Sequence, residues 1–310
     1  MIAILDNALP IFMMMILGKI IKSYWLTSDE FWRGIEKLSY FLLFPCALFN
    51  YIVNADLNSN DTLHVVLILM CSSAILGVLL LLYRKNQNID GKIFTSVFQG
   101  SIRYNNYMFF GLGGALYKDA GLSIIAIIAL YMIVFTNIAS ILSFNAFVKK
   151  EEDSDYFSKL ISLIKKFTLN PMIFTSILAL IFNKFDIKIG TSLNKLLINL
   201  SSSALTMGII TVGSGLQFSL QNTDQFKPIF IATLSKLFIL PLITYGLLFF
   251  ASIQGLPREI ALLYSSLPCA TTSYILSKQL GGDSELMATI ITFTTIFSVL
   301  SLSFLMYILV

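Results

Sequence analysis

The sequence predicts an all-α membrane protein: ten transmembrane helices, arranged as two inverted five-helix repeats, with the fourth and ninth helices broken. Three observations carry this expectation. The 310 residues are 56% hydrophobic and only 12% charged. Mean hydropathy is +0.81, and so few charges cannot cover a water-soluble globule, which normally devotes about a quarter of its residues to them. The charges are also clustered, leaving long apolar runs. Finally, the two halves of the chain align with each other at a nearly constant offset.

The spans follow in order from the uncharged runs 38–55, 62–83, 120–148, 167–183, 196–223, 237–257, 260–277 and 286–310. Each is close to the roughly 20 residues a membrane helix needs. Two more spans are short or interrupted. The first, at 7–21, has Asp6 at its mouth and Lys19 near its end. The fourth, at 93–117, is broken by Arg103. Continuous apolar runs of this length are helical, because barrel strands would alternate over about ten residues. No Lys or Arg precedes the first span, so it reads as a permanent helix and not a cleaved leader. Cys46, Cys71 and Cys269 all fall inside apolar spans and read as small hydrophobes.

Lys and Arg set the orientation. Placing the odd-numbered loops inside puts fourteen of the 21 basic residues in inner loops and five in outer ones, with Arg103 and Lys236 left inside spans. The positive-inside rule then puts both termini outside. The net charge of +4 reflects this bias and indicates no nucleic-acid partner.

The offset supplies the repeat. Leu9-Pro10-Ile11-Phe12 falls on Asn170-Pro171-Met172-Ile173, Leu38-Ser39 on Leu200-Ser201, and Leu116-Tyr117-Lys118-Asp119 on Leu280-Gly281-Gly282-Asp283. The spacing drifts only from 161 to 164 residues. Residues 1–150 form the first five-helix repeat, 151–166 a cytoplasmic linker carrying Glu151, Glu152, Asp153 and Asp155, and 167–310 the second repeat. Five spans per half is odd, so the second repeat runs inverted, as in secondary transporters, whose sites lie where matching helices are interrupted.

The fourth and ninth spans match that description. The fourth carries Arg103, Asn105 and Asn106, and the ninth Pro268, Cys269, Thr271, Thr272 and Ser273. Proline removes a backbone donor, and asparagine bonds freed backbone or a ligand. Arg103 lies about 16 Å past Lys92 along a helix, near the bilayer centre. A guanidinium there costs about 2.5 kcal/mol or more. It either ties the broken helix together or serves as a counter-charge for an anion, whose carboxylate its fork would grip with two bonds. Lys236, in the eighth span, is structural or snorkelling, or else it occupies the place of a coupling cation. Pro45, with Asn50 after it in the second span, marks a kink or lines a pathway. Gly208, Gly213 and Gly215 allow close helix packing. No Asp or Glu lies within a span core, and His64 opens the third span. Zinc-protease and phosphate-loop motifs are absent, so an enzyme or an ATP-driven pump is not expected, and no cofactor is called for.

Taken together, Leu9-Pro10-Ile11-Phe12 with Gly18, Leu43-Phe44-Pro45-Cys46-Ala47-Leu48-Phe49, Asn170-Pro171-Met172-Ile173, Lys236-Leu237 before Leu240-Pro241-Leu242, and Leu267-Pro268 before Gly281-Gly282-Asp283-Ser284-Glu285-Leu286 resemble the auxin efflux carrier family. The resemblance is to its short bacterial branch, which includes malate and malonate permeases, and covers nearly the whole chain. It implies a scaffold of helices 1, 2, 6 and 7, a moving transport domain of helices 3–5 and 8–10, and a substrate site where the fourth and ninth helices cross. It also implies that Asn105 or Asn106 contacts a substrate carboxylate. The expected function is therefore a permease for a small organic anion, malate or a similar dicarboxylate, working by elevator-type alternating access. A sodium-coupled organic-anion symporter of the bile-acid type is the alternative, and a non-transporting membrane sensor on the same fold is the third reading. The expected setting is the bacterial inner membrane. The expected partners are a carboxylate substrate and the lipid bilayer, with a homodimer left open.

Overall fold

The computed structural model describes residues 2–55, 60–148, 171–216 and 225–309, and these are helical with no strand among them. The linker expected at 151–166, with its acidic cluster, lies outside the described residues. Five helical stretches are long and apolar enough to cross a membrane: Asp61–Gln87, Gly121–Phe147, Thr191–Ser214, Phe226–Phe250 and Ser284–Leu305. The runs expected at 93–117 and 260–277 fall short as single helices because each is interrupted in the middle.

The chain opens with α1 (Ile2–Tyr24) and α2 (Asp29–Leu38). Ser28 caps α2 by accepting from the Phe31 amide, and Lys22 pairs with Asp29 across the turn. That exposed pair holds the Asp29 carboxyl below its ordinary range, through the Lys22 hydrogen bond first and its charge second. A π-helical turn, Ser39–Leu43, leads into α3 (Phe44–Val53). The helix therefore begins nine residues before the expected run at 38, because charged Asp29, Glu30, Arg33, Glu36 and Lys37 form an amphipathic first segment. Pro45 explains the π turn. Its ring carries no N–H, so the regular bond to the preceding turn is missing and the helix widens there.

Next come α4 (Asn60–Gln87), α5 (Gly91–Ile102) and α6 (Asn106–Phe147). Residues 103–105 separate α5 from α6. Lys118, at φ 50° and ψ −150°, bends α6 partway along. In the second half, α7 (Pro171–Lys184) and α8 (Thr191–Ser214) precede α9 (Phe226–Leu234), a second π turn (Ser235–Ile239) and α10 (Leu240–Phe250). Pro241 stands two residues after this π turn, as Pro45 does after the first. Because α9 through α10 is continuous, Lys236 sits in mid-helix and not at the edge of the expected 237–257 run. The chain closes with α11 (Gly255–Ser265), α12 (Ser273–Leu280) and α13 (Ser284–Leu309).

Packing falls into two groups. In the first, α1 lies along α8, and α3 packs on α7 and α8. Gly18 and Gly213 make the α1–α8 approach close enough for backbone to meet backbone. A Cβ on Gly18 would lie 2.0 Å from the Ile210 carbonyl oxygen, and one on Gly213 would lie 1.8 Å from that of Met15. Gly208 admits the Tyr107 ring, whereas Gly215 faces only its own helix's carbonyls. In the second group, α5 packs on α9 and α13, and α11 packs on α4 and α6. The N-terminal part of α6 joins the groups, with Phe44 set edge-on to Tyr107 at 4.4 Å and Tyr51 stacked on Phe110.

Candidate substrate site

The two interruptions meet inside the second packing group. After Ile102 the backbone turns extended at Arg103 (φ −87°, ψ 149°) and stays so at Asn105 (φ −80°, ψ 93°) before α6 begins. Opposite them, residues 266–272 separate α11 from α12. The Asn105 amide donates to the Pro268 carbonyl at 3.0 Å. The sequence offset of 164 pairs Tyr104 with Pro268 and Asn105 with Cys269, so the contact falls one residue from an expected pair.

Why the chain breaks here is legible in its capping. The Asn105 side chain accepts from the Met108 amide at 3.1 Å, which starts α6 afresh. Pro268 offers no N–H of its own, and the next amide, Cys269, donates to Thr294 Oγ1 of α13 at 3.3 Å. Backbone freed by the breaks is thus taken up by neighbouring protein, as backbone at membrane depth must be.

Arg103 is 6% exposed. Its guanidinium donates to Asn137 Oδ1 at 2.9 Å, Thr272 Oγ1 at 3.1 Å and Gln99 Oε1 at 3.4 Å. All three acceptors are neutral, so the charge is solvated without being neutralised. Lys236 is fully buried, and its Nζ lies 3.2 Å from the centre of the Tyr104 ring. Tyr104 stacks on Tyr264 at 4.2 Å and exchanges a 2.7 Å hydrogen bond with Ser73. No Asp or Glu is buried among the described residues, so the buried Arg and Lys side chains here have no carboxylate for company.

The remaining expected residues sort by place. Asn106 opens α6, bonding the Tyr104 carbonyl and accepting from the Tyr264 hydroxyl, both at 3.4 Å. Cys269 Sγ lies 3.4 Å from Ser273 Oγ, and both residues are fully buried. Thr271 is a half-buried member of the same interruption. Pro45 and Asn50 stand apart from it on α3, whose Phe44 and Tyr51 rings touch the α6 segment just beyond the break. Sequence reasoning passed over Gln99, Tyr104, Asn137, Tyr264 and Thr294 as working parts. Asn137 carried a usable signal, as an amide within the apolar run 120–148.

Three buried side-chain nitrogens here have no hydrogen-bond partner among the described residues: Gln99 Nε2, Asn105 Nδ2 and Lys236 Nζ. All three are donors. Leaving a buried donor unpaired costs about 1–3 kcal/mol, and more when it is charged. Two basic side chains and the unpaired amide nitrogens of Gln99 and Asn105 therefore lie together at the interruptions, with no buried carboxylate among the described residues.

Long apolar helices, two of the others interrupted face to face, and a buried polar centre define a multi-pass membrane protein. Residues 3–306 match the family described as "Membrane transport protein", and the chain belongs to it; this is the auxin efflux carrier family. A protein of Methanothermobacter thermautotrophicus described as an uncharacterized transporter is 21% identical over 309 residues, covering 96% of this chain and 95% of that one.

Proposed function

We propose that the protein carries a small organic anion across the membrane, with malate or a similar dicarboxylate as cargo. The carrying observation is the placing of two buried basic side chains, Arg103 and Lys236, with the unpaired amide nitrogens of Gln99 and Asn105 at the meeting of the two interruptions, with no buried carboxylate among the described residues. A sodium site would need oxygen ligands, preferably carboxylates. The surroundings of Arg103 and Lys236 favour an anion over a cation, which places the sodium-coupled alternative second. In this reading Arg103 and either Asn105 or Asn106 hold a carboxylate, and Thr271, Thr272 and Ser273 supply hydroxyls.

The movement we infer is alternating access by a ten-helix, inverted-repeat carrier. Exchanging the halves turns the contacts of α5 with α9 and α13 into those of α11 with α4 and α6, and both sets are present. The packing of α1, α3, α7 and α8 together supports their role as a scaffold, with α4 to α6 and α9 to α13 as the moving part. The proposed setting is the bacterial inner membrane, with both termini outside.

Uptake of radiolabelled malate into proteoliposomes tests the assignment, with Arg103→Ala beside the wild type. A lost charge-assisted bond of about 1.5–3 kcal/mol predicts a loss of roughly ten- to a hundredfold in uptake at low substrate. Uptake by Arg103→Ala equal to wild type would make Arg103 structural and this site wrong. A thermal-shift screen of mono- and dicarboxylates on purified protein ranks the cargo, and tight binding without flux would favour the sensor reading.

A further inference from the structure

The two buried cations are held differently, and the difference bears on coupling. Arg103 has three neutral oxygens within hydrogen-bond reach. Among the described residues Lys236 has none, and its Nζ rests on the Tyr104 ring face at 3.2 Å. The charged and titratable groups around it are few. Arg103, Tyr104 and Cys269 stand at the two interruptions. The packed elements α5, α9, α10 and α13 add Lys92, Lys227, Tyr245, Glu285 and Tyr307, and α11 adds Tyr264, stacked on Tyr104. None of these places a carboxylate on the ammonium.

Guanidinium cannot lose its proton in a protein, whereas a lysine without a hydrogen-bonding anion readily does. A cation–π contact offsets only part of the desolvation cost. We propose that Lys236 is the proton-carrying group of the transport cycle, so that the anion travels with a proton. This rests on the anion-carrier reading given above.

In the loaded state the ammonium of Lys236 and the guanidinium of Arg103 face a dianion, and the buried charges cancel. When the anion leaves, the ammonium loses its only counter-ion. One N–H bond breaks, the electron pair stays on Nζ, and the proton passes to water on the releasing side. The empty carrier returns with a neutral amine resting on Tyr104 and a single buried charge at Arg103. On the loading side the amine takes a proton from water as the next anion arrives. Nothing is oxidised or reduced, and each dianion enters with one proton.

The test is net uptake of radiolabelled malate into proteoliposomes, with and without an inward proton gradient of one pH unit and with the membrane potential clamped. One proton per anion allows accumulation of up to about tenfold under that gradient. The expected result is gradient-driven accumulation in the wild type, and loss of the response in Lys236→Arg and Lys236→Met, judged as the ratio with and without gradient within each variant. Wild-type uptake indifferent to the gradient overturns the proposal, as does a full response in Lys236→Arg. Absence of uptake for malate, malonate and acetate alike would instead remove the anion-carrier reading, and the proton step with it.

Discussion

Single residues decide the chemistry here, and Arg103 depends on what surrounds it. Its shortest bond goes to Asn137, thirty-four residues away on α6, so the guanidinium is aimed by the far part of a bent helix. Asn137→Leu removes that bond, and the half-saturating malate concentration in an uptake assay should rise about tenfold. Asn137→Asp keeps the shape but places a carboxylate on the guanidinium. Uptake should then be nearly abolished, because the counter-charge is spent internally and like charges repel the cargo. If Asn137→Asp transports as well as Asn137→Leu, Arg103 does not face the anion. The break at Arg103, Asn105 and Asn106 was legible in the sequence because a charge and two amides interrupt an apolar run. Thr294 and Tyr264 were not, because a lone hydroxyl or aromatic residue in an apolar helix looks the same whether it bonds a neighbour or its own preceding turn. Thr294 does both.

At the scale of elements, two kinds of irregularity shape the protein. Prolines at 45 and 241 each follow a π turn, and polar clusters at 103–105 and 266–272 stop helices outright. The breaks could be placed from sequence because capping side chains and proline act locally. The π turns could not, since the widening lies before the proline and depends on which carbonyls find other donors. Span edges shifted for a related reason: uncharged runs stop at any Lys or Glu, but helices end where caps and turns allow, as at Gly281 in the left-handed region. The α1–α8 contact gives a quantitative expectation. Gly213→Ala puts a methyl 1.8 Å from a backbone oxygen, which cannot step aside as a side chain can. Separating the helices costs about 1–3 kcal/mol, seen as a Tm several degrees lower in detergent. Gly246→Ala, with nothing within 4 Å of the added Cβ, is the matched control and should hold the wild-type Tm.

For the whole molecule, the question is which surfaces slide if the two packing groups move against each other. The interruptions and both buried cations lie in one group, while α1, α3, α7 and α8 form the other. Where they meet, small and aromatic side chains of α6 face α1, α3 and α8. Gly111, six residues past Asn105, lies where an added Cβ would stand 2.8 Å from Ile209 Cδ1 and 3.3 Å from Ile11 Cδ1. These are flexible side-chain ends, so a larger residue can be housed in one resting position by local shifts. It would still have to pass the same ridge at every stroke. Gly111→Val should therefore separate binding from movement. Malate should raise the Tm of the variant nearly as much as that of wild type, while uptake falls about tenfold or more, as when a conformational step limits the rate. Equal losses of binding and uptake would mean that the substitution reaches the site itself. Unchanged uptake would mean that the α6 face does not slide, and that the division into scaffold and moving part is drawn in the wrong place.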